Sequence, residues 1–207
     1  MPTPEQILAG LQGIANAWQS LAIAWHVYFA LIAVGLIMGW RPSQRIGAIL
    51  LALPLLSVSV LAWLFGNPFN GTLFALAGIT LLAIALGSPP TRIQLAPLWG
   101  IISGLVMFAF GWVYPHFLDT SSYFAYLIAA PTGLIPCPTL SIVTGLALVT
   151  GGLGSRSWSL VLGALGAFYG TFGAARLGVT IDWALVVGAV ILVGVALIPD
   201  LRQHRLA

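Results

Sequence analysis

Three side chains carry most of the chemistry this sequence offers: His26, His116 and the sole cysteine, Cys137. Neutral imidazoles and a thiol are metal ligands, and together they make a soft donor set. His26 sits deep in an apolar stretch, where ionisable groups are costly and face the bundle interior. Small residues at Ala22, Ala30 and Ala33 share its helical face and allow close helix approach. In that setting His26 either ligates a metal ion, haem iron or pigment magnesium, carries a proton, or simply hydrogen-bonds a neighbouring carbonyl. Cys137 lies between Pro136 and Pro138, which remove two backbone donors and push the preceding residues to extended geometry. An extended corner at Cys137 is expected, with Pro138 opening a helix whose positive N-terminus favours a thiolate ligand or nucleophile. The alternative is a small buried cysteine filling a tight turn.

Asn67, Asn70, Asp119, Thr139 and Arg176 complete the candidate set. Arg176 and Asp182 flank one turn, which reads either as a surface ion pair or as an anion-binding Arg176 in a pocket. No Gly-x-Ser-x-Gly, His-Glu-x-x-His or phosphate loop occurs. Hydrolysis and phosphoryl transfer therefore have no candidate residues.

The elements that must position these groups are membrane helices. Of the 207 residues 60% are hydrophobic and 5% charged, with net charge +3. A soluble domain carries about 25% charge, so a soluble enzyme, a nucleic-acid binder and a disordered tail are all excluded. One cysteine excludes an internal disulfide and a multi-cysteine zinc site. A span needs about 20 apolar residues. Seven candidates follow, at about 19–40, 46–65, 69–87, 95–114, 138–152, 157–173 and 183–198, within a single transmembrane domain over 1–207. The N-terminus, with Glu5 and no basic region, is not expected to be a cleavable signal. Thr3-Pro4-Glu5-Gln6 reads as a capping box, opening a short amphipathic helix over 1–18 that lies at the interface or extends the first span. The fold class is an all-α polytopic bundle.

Arginine placement orients it. With the N-terminus outside and the C-terminus inside, Arg41, Arg45, Arg92, Arg156, Arg202 and Arg205 fall inside and only Arg176 falls outside. Seven of the eight tryptophans then lie at headgroup depth, with Trp25 deeper. Asn67, Asn70, His116, Asp119, Cys137, Arg176 and Asp182 all map to the outer end, so a site would face outward. The stretch 123–130 is apolar but too short to span, and the fifth span after it is short. Such an interruption fits an interfacial helix or a re-entrant segment, and interrupted helices are how transporters build substrate sites. Residues 131–139 are expected to form the floor or wall of an outer cavity.

The run Pro136-Cys137-Pro138-Thr139 entering an apolar helix resembles an uncharacterised family of bacterial multi-spanning membrane proteins. Asn67-Pro68-Phe69-Asn70, Tyr114-Pro115 and Leu177-Gly178-Val179 followed by Asp182 agree with it, over a stretch from about Trp25 onward. The resemblance implies a multi-pass helical fold in the inner (plasma) membrane and no particular activity. The expected function is therefore an outward-facing pocket that binds or transports a small solute or metal ion. The alternative is an accessory subunit of a larger membrane complex, holding a pigment, haem or lipid. A membrane enzyme using Cys137 is third. The partners are the lipid bilayer and other membrane proteins, not nucleic acid.

Overall fold

The computed structural model describes residues 3–198, and among them it contains nine α-helices and no strand. Asp200, Arg202, Arg205 and the C-terminal Ala207 lie outside the described residues. Helix α1 (Pro4–Ala17) begins at the Thr3–Gln6 capping box, present in both directions. It breaks at Trp18 and is separate from α2 (Gln19–Ile37). Helices α3 (Gln44–Leu64) and α4 (Pro68–Gly87) form a hairpin closed at Gly66-Asn67. Asn67 caps α4 by accepting from the Asn70 amide at 3.0 Å.

The middle of the chain departs from simple spans. Helix α5 (Leu98–Val113) has 16 residues, and α7 (Pro136–Val149) has 14. Between them run the short α6 (Tyr123–Ala129) and a buried turn over residues 131–135. Helix α7 starts at Pro136, not Pro138, so Cys137 is in its first helical turn and not an extended corner. Proline is well suited to the first helical position. Helix α7 ends early because Gly151, Gly152 and Leu153 turn to positive φ. Every α7 residue but Cys137 is buried, so this helix is the centre of the bundle. Helix α8 (Arg156–Thr171) runs on into a π turn over Phe172–Arg176, and α9 (Trp183–Leu197) follows the single turn Thr180–Asp182.

Five helical stretches are long and apolar enough to cross a membrane, and α5 and α7 are shorter apolar helices. Small residues let these elements approach. A Cβ at Gly104 would fall 2.6 Å from the Gly145 carbonyl oxygen, and one at Gly145 2.5 Å from the Phe108 nitrogen. Glycines 163, 166 and 170 of α8 meet α9 in the same way.

The two ends of the bundle differ. At one end Ser43 and Arg92 form an isolated bridge, and Gly154 packs on Gln44. At the other, α1 buries Leu11 and Ile14 against Leu61, Leu134 and Ile135, with Phe117 and Leu177 alongside. Those partners are the termini of four different elements, so α1 lies across the bundle end. Asn16 fastens it there: its amide donates to the Phe117 carbonyl at 2.9 Å, and its oxygen accepts from the Asp119 amide at 2.8 Å.

Candidate functional site

Beneath α1 several helix ends converge on a group of buried polar side chains. The turn after α8 swings Asp182 inward, where it is 1% exposed. Gly173 makes room for it, since any Cβ there would strike the carboxylate. The Tyr114 hydroxyl, at the end of α5, donates to Asp182 Oδ1 at 2.6 Å. Cys137 lies beside the same carboxylate, its thiol also 3.8 Å from the Tyr169 carbonyl, a weak contact. The Tyr169 hydroxyl donates to Asn70 Oδ1 at 3.0 Å. Five elements thus join Tyr114, Asp182, Cys137, Tyr169 and Asn70 into one polar nest. The surface ion pair expected between Arg176 and Asp182 is not how Asp182 is used: it faces inward, while Arg176 is exposed.

A cavity of about 20 Å³ adjoins the nest, lined by Asn70, Cys137, Tyr169 and Asp182 among apolar walls. That is room for about one water molecule. A chamber of about 360 Å³ lies next to it under α1, between Leu11, Val58, Phe65 and Leu134, with Asn67 and Asn70 as polar lining. A third space of about 210 Å³ holds Arg176, Asn67, Phe69 and Phe172. Ile7 of α1 and Asn70 line all three. Helix α1 is therefore their shared roof. Phe117, at the rim, is held at φ 75, a region that costs a bulky side chain energy.

The turn over residues 131–135 is the floor, buried throughout. Gly133 has φ 77 and carries the Trp25 ring where a Cβ would stand, so only glycine fits. Thr132 donates to the Gly111 carbonyl at 2.6 Å. Thr139 donates to the Ile135 carbonyl at 2.6 Å and accepts from the Gly133 amide at 2.8 Å. The prolines have a physical account here. A helix start leaves its first amides without helical partners, and Pro136 and Pro138 delete two of those donors where water is scarce.

Of the candidate residues, Cys137 and Asn70 meet in the nest, with Asn67 and Arg176 toward the mouth. The others go elsewhere. Thr139 has its hydroxyl engaged within the turn. Asp119 is exposed, and its backbone, not its carboxylate, meets Asn16. His116 lines a separate open hollow with Gln12 and Tyr126. Partial burial there holds its imidazole below the ordinary histidine value. His26 is 4% exposed with Nδ1 2.8 Å from the Ala22 carbonyl and Nε2 3.0 Å from the Trp112 carbonyl. Both ring nitrogens thus face backbone carbonyls, and the one that carries hydrogen donates to its neighbour. No group of three His, Cys, Asp or Glu stands close enough to hold a metal ion among the described residues. The trio of His26, His116 and Cys137 is not assembled. Among the described residues no His lines the small cavity, and the titratable side chain beside the Cys137 thiol is Asp182.

Asp182, Tyr114 and Tyr169 are the residues that the candidate set lacked. Sequence periodicity places Asp182 in a loop; only the Gly173 gap, four glycines into the α8 seam, hints that something folds back over it. No family model, no curated protein and no solved structure matches the chain.

Proposed function

We propose that the chain is a seven-span bundle of the bacterial inner membrane, with the N-terminus outside and the C-terminus in the cytoplasm. Through its outer end it binds or transports a small solute. The observation that carries this reading is the polar nest of Asn70, Tyr169, Cys137, Asp182 and Tyr114 beside cavities roofed by α1. A few convergent polar groups in a mostly apolar hollow are what small-molecule sites present. The five long apolar stretches together with α5 and α7 supply seven spans. The Ser43–Arg92 bridge and the Gln44–Gly154 contact support one end carrying Arg41, Arg45, Arg92 and Arg156, against Arg176 at the other. Positive charge collects on the cytoplasmic side. The Pro-Cys-Pro-Thr family resemblance agrees with this placement.

The only thiol reports on the site. In intact cells a small membrane-impermeant maleimide added outside is expected to label Cys137, and a bulky one to label it far more slowly. A Cys137 inert to both would remove the pocket. Reporter fusions after Gly87 and at Ala207 are expected to read cytoplasmic, and a periplasmic reading at either would overturn the topology.

A second reading, a subunit of a larger membrane complex, draws on α2, of which Ile23, Val27, Leu31 and Val34 form an exposed apolar ridge. Co-purification with other subunits supports it; a monodisperse, colourless monomer in detergent opposes it.

A further inference from the structure

The inner cavity has an unusual combination of linings. Its one carboxylate is that of Asp182, 1% exposed, and among the described residues no Arg or His lines the space. The groups that reach the carboxylate are neutral donors, Tyr114 and Cys137. The N-terminus of α7 adds a partial positive charge, but no full cation balances Asp182 from within the lining. Burying a carboxylate without one is costly. The remaining walls are rich in aromatic rings, Phe117, Tyr169 and Phe172, and the face of a ring attracts a cation. A carboxylate, the Tyr169 side chain and two phenylalanine rings around a space for one water-sized group form a socket for an ammonium head. The chamber next door is far larger and mainly apolar, with Leu11, Ile14, Val58 and Leu134 in its walls. An alkyl body fits that surface.

We propose that the site takes a small protonated primary amine. Its ammonium group rests against Asp182, and its hydrocarbon part extends under α1 into the larger chamber. This rests on the outward-facing pocket proposed above. It adds the sign of the ligand, its orientation and the division of labour between the two spaces. Asp182 supplies the charge, Tyr114 and Cys137 hold the carboxylate in place, and Asn70 stands where the two spaces meet. Arg176 at the outer mouth repels a second ammonium group, so monoamines are favoured over diamines.

The test uses the full chain in detergent, with n-butylammonium as probe and butanol, butyrate, butane-1,4-diamine and ammonium chloride as comparisons. Two signals are read: the thermal midpoint, and the rate of Cys137 labelling by N-ethylmaleimide. Butylammonium is expected to raise the midpoint and to slow labelling about tenfold at about ten times its Kd, by mass action. The Asp182→Asn variant is expected to lose both effects. Labelling protection of the unaltered chain needs no variant, so it decides the matter even where Asp182→Asn does not fold. Equal protection by butanol or butyrate overturns the amine assignment while leaving the pocket. Ammonium chloride protecting as well as butylammonium overturns the organic ligand in favour of an inorganic cation. Protection that survives in a folded Asp182→Asn variant overturns the role of the carboxylate. Failure of every probe, together with a Cys137 that no maleimide reaches, overturns the pocket as well.

Discussion

His26 faces two acceptors and no donor. Helix α5 ends at Val113, so the Trp112 carbonyl is among the last-turn oxygens without a helical partner. Within a membrane an unpaired carbonyl is expensive, and in the tautomer with hydrogen on Nε2, His26 covers this one as Thr132 covers its neighbour at Gly111. A ring nitrogen that carries hydrogen is required for that. Replacing His26 with Gln, which keeps a donor, is expected to cost less than about 1 kcal/mol. His26→Leu, which removes it, is expected to cost about 2 kcal/mol. Thermal or denaturant unfolding in detergent measures both, and equal losses would show that the bond is not what matters. The inward direction of His26 was legible from its stripe of small neighbours. Its carbonyl partner on α5 was not, because that contact joins residues 86 positions apart. Asp182 was hidden for the opposite reason. Its neighbours in sequence read as a polar turn, and only three-dimensional closure by Gly173 and Tyr114 makes it a buried residue.

Among the elements, the helices themselves follow from composition and breakers, and α1, α3, α4, α7 and α8 start where proline or a capping side chain places them. The exceptions lie around α7, where backbone turns at Gly133 and Gly151 to Leu153 decide the ends. Such turns depend on what packs beside them, as Trp25 does at Gly133. The α5–α7 seam gives a sharp contrast with α1. Gly104→Ala presses a methyl onto the backbone of α7, and overpacking of this kind is expected to cost about 1–3 kcal/mol. Gly10 of α1 has nothing within 4 Å of its Cβ position, so Gly10→Ala is expected to be neutral or to stabilise α1 by up to about 1 kcal/mol through helix propensity. Unfolding midpoints of the two variants should move in opposite directions or, for Gly10→Ala, stay put. A harmless Gly104→Ala would mean that the helices are looser than this seam.

For the molecule as a whole, acid acts on the end that α1 covers. The Glu5 carboxyl is held below its usual range, first by backbone amides at the start of α1 and then by Thr3, with Arg176 adding a weaker attraction. His116 is held below its ordinary value by partial burial. Both folded values are depressed, so both contributions are present at neutral pH and are lost as pH falls through the folded values. The midpoint is therefore expected to fall as pH drops below about 6.5, where His116 starts to be protonated in the unfolded chain, and to fall further below about pH 4.3, where Glu5 does. His116→Gln should flatten the upper part of that slope and Glu5→Gln the lower part. A midpoint that rises in acid would contradict both assignments.

The short central helices have one more consequence, for the lipid around the protein. Helix α5, with 16 residues, rises about 24 Å, and α7, with 14, about 21 Å. The hydrocarbon core of a bilayer is about 30 Å thick. Helix α7 is shielded by its neighbours, but α5 shows Leu98, Ile102, Leu105 and Val106 on its outer surface. Helix α3, with 21 residues, rises about 32 Å. The bundle is thus tall on the α3 flank and low on the α5 flank, a wedge in a sheet of even thickness. With α5 as one of the proposed seven spans, lipid beside it must thin or the whole bundle must tilt, each at a fraction of a kcal/mol per Å. Such a wedge is most at ease among short-chain lipids. Its tilt in thicker membranes would bear directly on the turn between α5 and α7, where the floor of the pocket is built.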